Sequence, residues 1–125
     1  MLGDTDFMTM VAVHDLGEAT AFYEKTLGLT RVGENPGGVE YRSGTARFFV
    51  YPSEFAGTNK ATTAVWQVDD LEGAVRDLKA KGVAFEHYDL PDTTRDGDIH
   101  AVGRFKIAWF RDPTGNILEV NNGEI

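Results

Sequence analysis

The chain contains no cysteine, which excludes disulfides, thiolate metal sites and cysteine nucleophiles without fixing a redox compartment. It also lacks any apolar run near the roughly 18 residues that suggest a membrane-spanning helix. Positive charge is scarce: 12 Lys and Arg stand against 20 Asp and Glu, a formal net charge of −8. No basic stripe with interleaved aromatics is present, so nucleic acid is a poor partner. The acidity suits a cationic small molecule, although acidic solubility is the simpler and favoured explanation. The opening residues, Met1-Leu2-Gly3-Asp4-Thr5-Asp6, have no positive n-region and predict no secretory signal. A cytoplasmic protein with no membrane partner is expected.

What is present suffices for a core. The 125 residues, 42% hydrophobic and 26% charged, describe one soluble globular domain spanning residues 1–125. The strongest internal signal is a repeat. Phe7 to Val13 is an apolar run of strand length, followed by a helical stretch to Leu27 and then Gly28. Asp15 is placed to cap that helix, with Glu18 completing a capping box and Gly28 at the expected left-handed C-cap. Leu16, Ala19, Phe22, Tyr23 and Leu27 recur at helical spacing and predict one buried face. About 55 residues later the phrase returns: Ala61 to Val68 as strand, Asp69-Asp70-Leu71 as helix start, and Leu71, Ala74, Val75 and Leu78 as apolar face.

Strand-like segments follow each helix. Leu29–Glu34, Gly38–Arg42 and Ala46–Tyr51 are divided by Asn35-Pro36-Gly37 and Ser43-Gly44. Val83–Tyr88, Phe105–Arg111 and Ile117–Val120 take the same parts in the second half, and Asp112-Pro113-Thr114-Gly115-Asn116 predicts a hairpin turn. Residues 89–103 read as a long polar loop and Pro52–Lys60 as a linker. The order is βαβββ, twice. One such unit cannot cover its own sheet, so two are expected to share a core.

Three phrases carry a family resemblance: V-x-D-L at 13–16, F-Y-x-x-x-L-G-L at 22–29 and W-F-x-D-P-x-G-N-x-L-E at 109–119. They resemble the vicinal oxygen chelate superfamily, which includes glyoxalase I, extradiol dioxygenases, metal-dependent fosfomycin-resistance transferases and bleomycin-resistance binding proteins. The resemblance runs from Phe7 to Val120. It implies an α+β fold of two βαβββ modules, 7–52 and 61–121, each a half-open curled sheet (the glyoxalase/bleomycin resistance fold). It also implies a homodimer. The motifs specify fold better than function, because one scaffold hosts several chemistries and plain binding.

Metal-dependent members place a His near the start of each module's first strand and a carboxylate on each module's last strand. Oxygen and imidazole donors of that kind suit Fe(II), Mn, Ni or Zn. Here the histidine positions fall on Met8 and Thr63, and Arg47-Phe48-Phe49-Val50-Tyr51 has no carboxylate. Only Glu119 remains, so no metal and no cofactor are expected. The three histidines, His14, His87 and His100, have no ligand spacing among themselves. His14 is expected at the mouth of the first helix, His87 on a strand, and His100 in the polar loop with a role in ligand contact. Asp92 to Asp98 has the wrong acidic spacing for a calcium loop, and Gly57-Thr58-Asn59-Lys60 lacks the elements of a phosphate loop.

Strand alternation then sorts a lining. Met8, Met10 and Ala12 share one face, as do Thr63, Val65 and Gln67, while Val11, Val13, Trp66 and Val68 belong under the helices. By the family pattern the first set looks into a cavity. The expected ligand-binding residues are Met8, Met10, Phe49, Tyr51, Thr63, Val65, Gln67, His100, Ile107, Trp109 and Glu119. Phe48 and Val50 are the alternative pair to Phe49 and Tyr51. Met and aromatic walls adapt to large flat ligands. The expected function is metal-independent binding of a small-molecule natural product or antibiotic, aromatic and open to cationic character, which resembles the sequestration practised by bleomycin-resistance proteins. Catalytic residues are not assigned. The alternative is a lyase or isomerase resembling glyoxalase I, or a dioxygenase, that uses Glu119 with a non-standard metal site. A pathway scaffold or structural dimer stands third.

Overall fold

A computed structural model of the chain describes residues 1–124. The fold is α+β, as expected, with two helices and two open sheets. Contacts gather the chain into two compact units, Met1–Asn59 and Lys60–Ile125.

In the first unit, β1 (Thr9–Val13), α1 (Leu16–Ala21), β2 (Thr30–Asn35), β3 (Gly38–Ser43) and β4 (Ala46–Pro52) form the sheet β1-β4-β3-β2 with one helix. Strand β1 runs parallel to β4, and the remaining pairs are antiparallel. Asp15 caps α1 by accepting from the Glu18 amide at 2.9 Å. After Ala21 the helix widens into a π-helical turn over Phe22–Thr26, and Gly28, at φ 75°, turns the chain into β2. Ala19 and Tyr23 are buried, as are Val11, Val13, Val39, Tyr41, Phe48 and Val50. The Tyr23, Tyr41 and Phe48 rings pack with centroids 5.6–6.2 Å apart. Glu24 accepts from the Tyr41 hydroxyl at 2.7 Å and from Arg31 at 2.6 Å. Those two donors hold its carboxyl below the usual range, while burial and Glu24 push the Tyr41 phenol up.

In the second unit, β5 (Thr62–Gln67), α2 (Leu71–Ala80), β6 (Phe85–Glu86), β7 (Thr94–Asp96), β8 (Ile99–Val102), β9 (Phe105–Arg111) and β10 (Ile117–Asn121) build the order β5-β10-β9-β8-β7, with β6 also on β9. Asp70 repeats the cap, accepting from the Gly73 amide at 3.0 Å. Leu71 and Val75 of α2 are buried, as are Ala108, Phe110, Leu118 and Val120. Between β9 and β10 the Asp112 carboxylate accepts three backbone amides, from Thr114, Gly115 and Asn116, at 2.9–3.0 Å.

Three expectations are corrected. Residues 89–103 are not simply a polar loop: they hold the β7–β8 hairpin, turned at Gly97-Asp98 with Gly97 at φ 62°. Strand β7 is three exposed residues, too short and too charged to show an alternating pattern. The strand expected over Val83–Tyr88 shrinks to Phe85–Glu86. Strand β8 pairs with Phe105, Lys106 and Ile107, the early part of the β9 edge, and leaves only Trp109 and Phe110 for β6. Finally, β1 begins at Thr9, and Phe7 is 91% exposed.

Candidate functional site

Each sheet turns one face to its helix, and strand register sorts the side chains on the other. In the first unit Met10 pairs with Phe49 and Ala12 with Tyr51, on the side opposite Val11, Val13, Phe48 and Val50. Met10 is 52% exposed and Met8, just before β1, 41%. Phe49 and Tyr51 are half-buried. This face carries a surface cavity of about 220 Å³ whose lining includes Val32, Glu40, Arg47 and Phe49. Arg47 forms an ion pair with Glu40.

In the second unit Glu119 pairs with Val65 on one side and Trp109 on the other, and Asn121 pairs with Gln67 and Ile107. His100 stands beside Ile107 and Glu86 beside Trp109. These residues therefore share the face turned away from α2. Thr63 falls where the β5–β10 register shifts. Val65 and Gln67 are exposed, whereas Ile107 and Trp109 are buried together with Ile117.

Both Glu119 oxygens accept from donors of its own unit. One oxygen accepts from the Trp109 indole N–H at 2.9 Å and the other from the Asn121 amide at 2.8 Å. The carboxylate thereby fixes the indole in the sheet, and both partners lie on its own face. The rings of Tyr88 and His100 meet Trp109 edge-on, with centroids 5.2 and 4.9 Å away. His100 is completely buried on β8, and its Nε2 accepts from the Tyr88 backbone N–H at 3.0 Å.

The two units are register-equivalent. Met10 and Val65 are 55 positions apart, and their strand partners Phe49 and Glu119 are 70 apart. Glu119 thus takes the place of Phe49, and Trp109 takes the place of Glu40, which pairs with Phe49. Carboxylate and aromatic are exchanged between neighbouring strands. The sequence reading passed over Glu40, Tyr88 and Asn121. Asn121 was within reach, since it lies two residues beyond Glu119 and so on the same face. Glu40 emerges only from cross-strand register.

The chelating set of the resemblance does not fit this chain. Its four positions hold Met8, Thr63, Phe49 and Glu119, and the one carboxylate among them is committed to Trp109 and Asn121. Among the described residues no group of three His, Asp or Glu side chains is placed to hold a metal ion.

His14 is exposed just before α1. The His87 Nε2 lies 2.8 Å from Asp98, whose other oxygen accepts from Lys79 at 2.7 Å. Lys79 first and His87 second hold the Asp98 carboxyl below the usual range. Asp98 therefore ties the β7–β8 turn to α2 and to the chain after β6. With a folded-state pKa below the unfolded value, its contribution is present above about pH 4 and is lost as pH falls through the folded pKa. Asp98→Asn is expected to cost about 1 kcal/mol at pH 7 and to shrink the stability difference between pH 7 and pH 3. Urea unfolding at both pH values checks this, and an unchanged acid limb would contradict it.

The chain belongs to the glyoxalase/bleomycin resistance protein/dioxygenase superfamily, whose model matches residues 7–120. No curated protein sequence is similar enough to match. Among solved structures, lactoylglutathione lyase from Agrobacterium tumefaciens is 20% identical, with 96% of this chain and 95% of that one covered and a TM-score of 0.68. TnmS3, an antibiotic-binding protein from Streptomyces sp. CB03234, is 20% identical over 94% and 95% with a TM-score of 0.64. The fosfomycin resistance protein FosX from Mesorhizobium loti is 12% identical over 98% and 94% with a TM-score of 0.70. At these identities the likeness establishes the fold. Among the described residues no helix is long and apolar enough to cross a membrane.

Proposed function

We propose that this chain is a metal-independent binder of small aromatic natural products that acts by sequestration in the cytoplasm, with antibiotic resistance as its consequence. The engagement of both Glu119 oxygens by Trp109 and Asn121 carries this reading. A carboxylate that accepts one internal donor on each oxygen is held in place as the scaffold of a rigid aromatic face, which supports binding by that face. The exposed Met8 and Met10, with half-buried Phe49 and Tyr51, form the recognition surface of the first unit. In the second unit Thr63, Val65 and Gln67 form the accessible part, with Gln67 as an exposed polar anchor, backed by half-buried Glu119 and the largely buried Ile107, Trp109 and His100. The structural likeness to the antibiotic-binding TnmS3 supports binding as a role this fold accommodates. Residues 7–52 and 61–121 are its two modules within one functional domain. The chain works as a homodimer, supported by the exposed apolar Phe7 ahead of β1, which a second copy would cover.

The test uses a Trp66→Phe variant, which leaves Trp109 as the remaining tryptophan. Titration with polycyclic aromatic natural products is expected to quench Trp109 saturably, with micromolar to nanomolar affinity, roughly 8–12 kcal/mol. A broad panel that leaves the indole emission untouched would contradict the proposal.

A further inference from the structure

We propose that the open face of the first unit selects an aromatic ligand bearing one carboxylate, which Arg42 and Arg47 hold at the β3–β4 end of that face. The two arginines are direct cross-strand partners, and Thr30 of β2 continues their row. Their strand neighbours Tyr41 and Phe48 are buried on the helix side, so alternation turns Arg42 and Arg47 to the open side. Both are exposed, as is Thr30. Two residues further along the strands, the next row runs Met10, Phe49, Glu40 and Gly33. Arg42 is therefore the diagonal neighbour of Phe49, a spacing of about 7–8 Å that long and aromatic side chains bridge.

Like charges directly opposite on paired strands repel, and this chain has only 12 cationic side chains to place. The carboxylates of the sheet leave the pair half-neutralised. Glu40 takes Arg47, engaging its Nε and Nη2 through one oxygen. Glu24 and Glu34 both go to Arg31, which pairs with Tyr41 in a row facing the other way. Among the described residues no carboxylate pairs with Arg42. Two guanidiniums thus stand against one carboxylate, a local excess of one positive charge in a chain of net charge −8. One further carboxylate balances that count, whereas a phosphate dianion would exceed it. The guanidinium of Arg42 offers its donors as a planar fork that matches a carboxylate. The ring of the ligand has room beside it. Arg47 and Phe49 both border the cavity of about 220 Å³, and a Cβ at Gly33 would meet nothing within 4 Å, so glycine leaves the outer end of the row open.

For its ring contacts this site rests on the recognition surface proposed for the first unit; its charge selection does not. The probe is 2-naphthoate in about 0.15 M salt, with 2-naphthamide as the neutral counterpart. NMR signals of the Arg42 and Arg47 Nε–H groups and of the Met10 methyl are followed in the full chain. Naphthoate is expected to saturate these shifts with an affinity about tenfold above that of naphthamide. Arg42→Gln should bring naphthoate down to the level of naphthamide, with amide dispersion preserved because the position is exposed. Glu40→Gln frees Arg47 and should tighten naphthoate several-fold while leaving naphthamide unchanged. Arg76→Gln, the same charge change on α2, should alter neither. The proposal is overturned by non-saturating shifts, by equal affinity for the two probes, by indifference to Arg42→Gln, or by an equal loss on Arg76→Gln. Trp109 quenching by the broad panel reads the sequestration proposal separately. Equal probe affinities with that quenching intact would remove the carboxylate site and leave sequestration standing.

Discussion

Trp109→Ala is expected to destabilise the protein by about 3–5 kcal/mol. The indole is buried with Ile107 and Ile117, with Tyr88 and Phe105 packed against that cluster. Its removal leaves a cavity beside the Tyr88 and His100 rings and strips Glu119 of the donor on one oxygen. For a domain whose total stability is typically 5–15 kcal/mol, that is a large fraction. Trp109→Phe separates the two contributions. It keeps one aromatic ring while losing the indole N–H and part of the volume, so the cost should fall to about 1–3 kcal/mol, most of it the penalty of an unsatisfied partner. Combining it with Glu119→Gln should give a clear coupling energy in a double-mutant cycle, because the two residues share one hydrogen bond. Urea unfolding measures all three. A loss below 1 kcal/mol for Trp109→Ala would mean that the indole is not part of the core.

The second large effect is expected at the β9–β10 turn. Asp112 is 4% exposed; one of its oxygens accepts from the Thr114, Gly115 and Asn116 amides and the other from the Asn116 side chain at 2.8 Å. Asp112→Ala removes an acceptor shared by three amides and the Asn116 side chain, and of these the Gly115 amide keeps the backbone carbonyl of residue 112. The expected loss is about 2–4 kcal/mol, read as a lower urea midpoint with an unchanged slope. Asp112→Asn keeps the shape but points an N–H₂ group toward donors, so it should recover only part of that loss. Full recovery by Asn would contradict the assignment of Asp112 as the acceptor that closes the turn.

Much of this architecture was readable residue by residue because its determinants are local. Asp15 and Asp70 cap the helices three residues ahead of the amides they accept, and Gly28 turns left-handed just after the helical run. The Asp112-to-Asn116 turn was legible for the same reason. Period-two alternation separates Val11 and Val13 from Met10 and Ala12, and register settles the β4 pair by placing Phe49 beside Met10. Competition for a strand edge was not readable. Whether β6 or β8 pairs along β9 depends on a hairpin whose charged residues carry no alternating signal. Site chemistry suffered most from this limit. The sequence reading set out Glu119 as a lone anion, whereas its meaning comes from Trp109 across the ladder and Asn121 two residues on. His100, expected in a loop, lies at the bottom of a sheet because that hairpin extends β9.

Under the proposed function the chain binds an aromatic small molecule through its own side chains, with no metal and no turnover. Calorimetric titration in excess chelator, followed by chromatographic recovery of the ligand, measures this most directly. The account predicts saturable binding that is unchanged by chelator, with the ligand recovered chemically intact. Binding that appears only after a divalent metal is restored, or a ligand recovered as product, would contradict it.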